Sequence, residues 1–157
     1  MRQRRQATPG TARSALCSEH IPADEMTSQL GIRPDDVSVR GSRFTEPTVI
    51  PVSHSWKIVC REPELRVDEQ IAHILDRLRL RTGRTAELVP RLAADGGGAV
   101  LHVVRYFNDT DQDQPETSDA PNPFGWHLDR NVLYFLITVG AKLDVDEYDM
   151  ALDEDTK

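Results

Sequence analysis

Apolar positions recur at helical spacing most clearly between Val67 and Leu80, where Val67, Ile71, Ile74, Leu75 and Leu78 share one face. Pro63 precedes this helix. Asp68 and Glu69 suit the positive end of its dipole, Arg79 and Arg81 suit the negative end, and Gly83 supplies a stop. A shorter helix is predicted from Pro22 to Leu30, with Ile21, Met26 and Leu30 as its stripe and Asp24 and Glu25 in its first turn. Gly31 ends it and Pro34 prevents its continuation. A further helical piece is expected over Thr85–Ala94, restricted by Pro90 to about one turn on either side.

A period of two marks the strands. Trp56, Ile58 and Cys60 alternate with Lys57, Val59 and Arg61, which predicts a strand with Trp56 on its buried face. In Ala99–Phe107 both sets are apolar (Leu101, Val103 and Phe107 against Val100, Val104 and Tyr106), as in an interior strand. Thr11–His20 signals a weaker strand, with Ala12, Ser14, Leu16 and Ser18 on one face and Ala15 and Cys17 on the other. Pro34–His54 reads as irregular, broken by Gly41, Pro47 and Pro51, with short extended pieces at Val37/Val39 and Val49/Ile50/Val52. The densest apolar run lies in Asp129–Tyr148. Its VLYFLITV core favours a strand by propensity, whereas Asp129 as N-cap and Gly140 as stop favour a helix. The residues alone leave both open. After Gly140, Leu143 and Val145 alternate with Asp144 and Asp146 as a half-buried final strand.

A chain of 157 residues with 38% apolar and 29% charged residues fits one soluble domain. Charge divides it. Residues 1–11 form a basic arm expected to be disordered, 12–149 the domain, and 150–157 an acidic flexible tail. A net charge of −7 argues against a general nucleic-acid binder and suits a basic protein partner. Cys17 and Cys60 are too few for a disulfide scaffold. The arginine-rich start lacks the apolar stretch of a secretion signal, and Leu16 before Cys17 is wrong for a lipoprotein cleavage site. No run approaches the ~18 apolar residues of a membrane span. These features predict a cytoplasmic protein with no membrane partner.

Candidate chemistry is sparse. Asp109, Asp111 and Asp113 have the spacing that opens a calcium loop, but Gln114 replaces the required glycine and Ala120 the closing acid. The Asn108–Pro123 loop is therefore expected to be solvated. His20, His54, His73, His102 and His127 show no metal-ligand spacing, so neither a metal nor a cofactor is expected. His102 shares its strand face with Val100, Val104 and Tyr106, as a core residue would. A buried Cys60 would be inert, and Ser53-His54-Ser55 would point to alternate faces. No catalytic constellation emerges. Weaker binding candidates are Trp56, as an amphipathic anchor, and Asp146 with Tyr148, a carboxylate and a phenol on one strand face.

In order, Leu30-Gly31-Ile32 with Pro34, Gly41, the Trp56 strand entered through Ser55, the Val67–Leu80 helix and the terminal helix–Gly–strand ending Asp146-Glu147-Tyr148 resemble the bacterial domain-of-unknown-function 4279 family. The resemblance spans Ala12–Tyr148. It implies a first strand before Pro22 and a helix over Asp129–Val139. It also implies a single-domain α+β sandwich, strand–helix–strand–helix–strand–helix–strand, with helices on one face of a mainly antiparallel sheet. No active site comes with it. The expectation is a non-catalytic protein that binds another macromolecule, an interaction or immunity-like protein. The alternative is a small-molecule-binding protein or enzyme with a pocket between sheet and helices, near Trp56 and Tyr148.

Overall fold

The computed structural model describes residues 10–42, 50–62, 64–107 and 125–149. Strand β1 (Thr11–Ser18) leads through helix α1 (Ala23–Leu30) to strands β2 (Asp36–Ser38) and β3 (His54–Val59). Helix α2 (Val67–Leu78) runs through a 3₁₀ turn, Arg79–Arg81, into α3 (Thr82–Ala94). Strand β4 (Gly98–Phe107), helix α4 (Arg130–Val139) and strand β5 (Lys142–Asp149) follow. The class is α+β, as predicted. Residues 1–9 of the arm, the acidic tail, the Asn108–Pro123 loop with its calcium-like spacing, and Pro47, Val49 and Pro63 lie outside the described residues, while Thr11 already belongs to β1.

The apolar stripes account for the helices. Helix α1 buries Ala23, Met26 and Leu30, and Gly31, at φ 68, ends it by donating its N–H to the Thr27 carbonyl. Helix α2 buries Val67, Ile71, Ile74 and Leu78, and the Glu69 carboxylate accepts the Arg66 N–H at 2.8 Å across its first turn. In α4 the Asp129 carboxylate accepts the Val132 N–H at 3.0 Å, and Gly140, at φ 72, closes the other end. One α4 face buries Val132, Phe135, Leu136 and Val139. At roughly 1.5–3 kcal/mol per buried side chain, that face outweighs a β-propensity scale spanning about 1 kcal/mol.

The sheet order is β2–β3–β1–β4–β5. Pairs β2–β3, β3–β1 and β1–β4 are antiparallel, and β4–β5 is parallel. Helix α1 carries the chain from β1 to β2 around β3, and α2–α3 carries it from β3 to β4 around β1, an interleaved split βαβ arrangement. Helix α4 then adds β5 beside β4. Register decides the faces: Leu16 lies opposite Trp56 and Ala99, Ser14 opposite Ile58 and Leu101, and Ala12 opposite Val103. These residues build one core with the buried stripes of the helices. The other face carries Arg13, Ala15, Cys17, Lys57, Val59, Val100, His102 and Val104. Among the described residues no helix lies over it.

Some expectations need correction. Gly83 does not stop the helical region, because it sits in the first turn of α3, where backbone N–H groups have no intrahelical partner to lose. Pro90 does not limit α3 to single turns. It lies on the exposed side, where water can serve the Ala86 carbonyl, while Thr85, Leu88, Val89 and Leu92 are buried opposite. The thin β1 signal belongs to the strand between β3 and β4, with Ala12 and Leu16 buried at 0% and 2% exposure. Among the described residues of Pro34–His54, Asp36–Ser38 and the start of β3 join the sheet, while Ile50 and Val52 are exposed outside it. Leu143 and Val145 are more exposed than their alternation predicts, because β5 is an edge.

Candidate functional site on the uncovered face of the sheet

Alternation along β1, β4 and β5 places Arg13, His102, Asp144 and Asp146 on the uncovered face, with Arg13 opposite His102 and His102 opposite Asp144. Arg13 Nε donates to His102 Nδ1 at 3.0 Å, and His102 Nε2 lies 2.7 Å from Asp146 Oδ2. A guanidinium only donates, so Nδ1 must accept, and the Nε2–H then donates a hydrogen bond to the Asp146 carboxylate. The chain of three side chains ties β1, β4 and β5 together. It also occupies both ring nitrogens, so His102 has none left to take a proton from a substrate without releasing a partner.

Farther along the same strands, Tyr106 lies opposite Tyr148, and their rings stack with centroids 5.6 Å apart at 23°. The pair is 36% and 50% exposed. At the opposite side of the face Lys57 Nζ lies 3.5 Å from Asp36 Oδ2. Between these groups Ala15, Val59, Val100 and Val104 provide an apolar middle. Burial pushes the Cys17 thiol up, although Lys57 and Arg13 pull the other way, so it is held as a thiol rather than a nucleophilic thiolate.

Trp56 belongs elsewhere. It is fully buried on the helix side, where its indole N–H donates to Thr27 Oγ1 at 3.0 Å and ties β3 to α1. The expectation of one pocket near both Trp56 and Tyr148 is therefore corrected, because strand alternation sends them to opposite faces. Among the described residues, a cavity of ≈ 10 Å³ lies between sheet and helices, lined by Leu30, Trp56, Leu78, Phe135 and Leu136, room for about one water. Asp146 and Tyr148 do share a face, as their spacing predicts.

A second polar cluster joins the end of β1 to the end of α3. Ser18 Oγ donates to Asp95 Oδ2 at 2.6 Å, the His20 ring contacts the other carboxylate oxygen, and the His20 backbone N–H donates to Oδ2 at 2.9 Å. The Ser18 hydrogen bond holds the Asp95 carboxyl below its ordinary range against some desolvation, and His20 adds to the effect. Here the carboxylate bridges serine and histidine. Nucleophile activation needs the histidine in the middle, so the cluster is a tether. Among the described residues no group of three or more His, Cys, Asp or Glu could hold a metal ion, and no helix is long and apolar enough to cross a membrane.

The parts of the site that spacing did not reveal are Arg13, Tyr106 and the role of His102. The only signal was the face that His102 shares with Tyr106. Arg13 meets His102 through the antiparallel β1–β4 register, 89 residues apart, whereas Asp146 and Tyr148 reach His102 and Tyr106 through the parallel β4–β5 register. Of the comparisons with known proteins, the family model of DUF4279, a domain of unknown function, matches residues 11–150. No curated protein and no solved structure matches the chain.

Proposed function

The chain belongs to the DUF4279 family, and from that premise we propose a non-catalytic domain that binds a macromolecular partner through the outside of its sheet. The observation that carries this reading is the Tyr106–Tyr148 stack, exposed beside a charged chain that engages both ring nitrogens of His102. Aromatic rings that are half-exposed and rigidly placed supply contact area at little entropic cost. The net charge of −7 favours a basic protein as the partner. Free Cys17 and Cys60 fit a reducing bacterial cytoplasm as the setting. A small-molecule site between sheet and helices would need about 300 Å³ or more, far beyond the ≈ 10 Å³ there.

The test is affinity capture from native lysate at about 50 and 500 mM salt, with mass spectrometry of retained proteins and small molecules. The wild-type chain is compared with a Tyr106→Ser, Tyr148→Ser double variant. The expected result is a basic protein held at low salt, released at high salt, and held about tenfold less by the variant. A partner retained equally by the variant, or a released small molecule with no protein, contradicts the reading.

A further inference from the structure

We propose that the outer edge of β5 docks an extended basic segment of the partner protein, which joins the five-stranded sheet as a further strand. This rests on the macromolecule-binding reading above and names the chemistry of the partner and where it attaches. Strand β5 ends the sheet order, with β4 as its one neighbour, so along its other side, among the described residues, no strand meets its backbone N–H and C=O groups. Its eight residues exceed a typical strand and offer a full ladder.

The side chains of β5 specify what can pair there. On the uncovered face stand Asp144, exposed and without a partner among the described residues, and Asp146, whose Oδ2 lies 2.7 Å from His102 Nε2. On the helix side stand Leu143 and Val145, 41% and 36% exposed, and α4 on that side leaves Leu133 and Ile137 46% and 80% exposed. An incoming strand must therefore alternate, with basic residues toward Asp144 and Asp146 and apolar residues toward Leu143 and Val145. The same acids reject a second copy of this chain. An antiparallel β5 centred on Val145, a register that uses most of the strand, sets Asp144 opposite Asp146 twice, and like charges directly opposed destabilise a pair. Natural edges are often protected by lysine or proline; β5 has Lys142 at its start and carboxylates thereafter.

The probe is a fluorescein-labelled peptide of about eight alternating lysine and valine residues, followed by anisotropy. Three comparisons accompany it: a glutamate–valine peptide, a lysine–valine peptide N-methylated at every residue, and the Asp144→Lys variant, its fold checked by circular dichroism. Binding of the lysine–valine peptide is expected to weaken about tenfold with Asp144→Lys and with N-methylation, and the glutamate peptide is expected not to bind. No binding of the lysine–valine peptide, or equal binding of its N-methylated form, overturns the edge proposal. If a captured native partner is lost with the tyrosine double variant but unaffected by Asp144→Lys, the edge proposal fails while the binding reading stands. A partner unaffected by either change removes both.

Discussion

Gln70 shows how one polar side chain fixes the start of the central sheet. It is 1% exposed; its Oε1 accepts the Ala12 N–H at 2.9 Å, and its Nε2 donates to the Gly10 and Leu65 carbonyls at 2.6 and 3.0 Å. Gln70→Leu preserves the size and strands those backbone groups in the core. Urea unfolding is expected to show a loss of about 3 kcal/mol; a loss under about 0.5 kcal/mol would mean that water replaces the amide. The spacing of Val67, Ile71 and Ile74 puts Gln70 on the buried face of α2, but it does not reveal its partners on β1, which lie 58 and 60 residues away. The Arg13–His102–Asp146 chain was hidden for the same reason, with separations of 89 and 44. The face shared by Asp146 and Tyr148 was legible, because it needs only the two-residue period of a strand.

Elements were readable where their ends carry local chemistry. Pro22 and Gly31 bound α1, whose span follows from the sequence, whereas Asp129 and Gly140 bound α4, where the residues alone left a strand equally open and the family resemblance implied the helix. Helix α3 was readable over Thr85–Ala94 but not as one unbroken helix, because burial of Leu88, Val89 and Leu92 overrides the breaker Pro90. A proline inside a helix costs about 3 kcal/mol relative to alanine, offset in part by the entropy it removes from the unfolded chain. Pro90→Ala is therefore expected to stabilise the protein by about 1–2 kcal/mol, read from the urea midpoint. Destabilisation would mean that Pro90 stabilises more through the unfolded chain than it costs the helix. Helix α1 is also held to α3 by Glu25 and Arg91, 3.1 Å apart, an exposed pair worth little alone.

For the whole molecule, two carboxyls depressed among the described residues contribute to the acid limit. Asp95 is lowered first by Ser18. Asp35 is raised somewhat by desolvation but lowered on balance by the Val59 N–H and by Arg77. A carboxyl whose folded pKa lies below its unfolded value of about 3.9 stabilises the fold above that pH. This contribution is lost as pH falls through the lower, folded value. Stability should therefore be flat in this respect at neutral pH and fall below about pH 4. Asp95→Asn should lower stability at neutral pH and make the acid decline shallower, seen in urea unfolding at stepped pH. An unchanged slope would assign the acid limit elsewhere. The parallel attachment of β5, and with it the opposite placement of Trp56 and Tyr148, is a property of this scale too: it depends on where α4 returns the chain, which no local pattern records.

The central claim is that this domain binds with the outside of its sheet and with β5, not with a pocket under its helices. Amide chemical-shift mapping during titration with the lysine–valine peptide tests it most directly. The predicted result is a set of shifts concentrated on Lys142–Tyr148, with smaller ones at His102 and Tyr106 and none along the buried face of α2. Shifts centred on Trp56, Leu30 and Leu78, around the inner cavity, would contradict it.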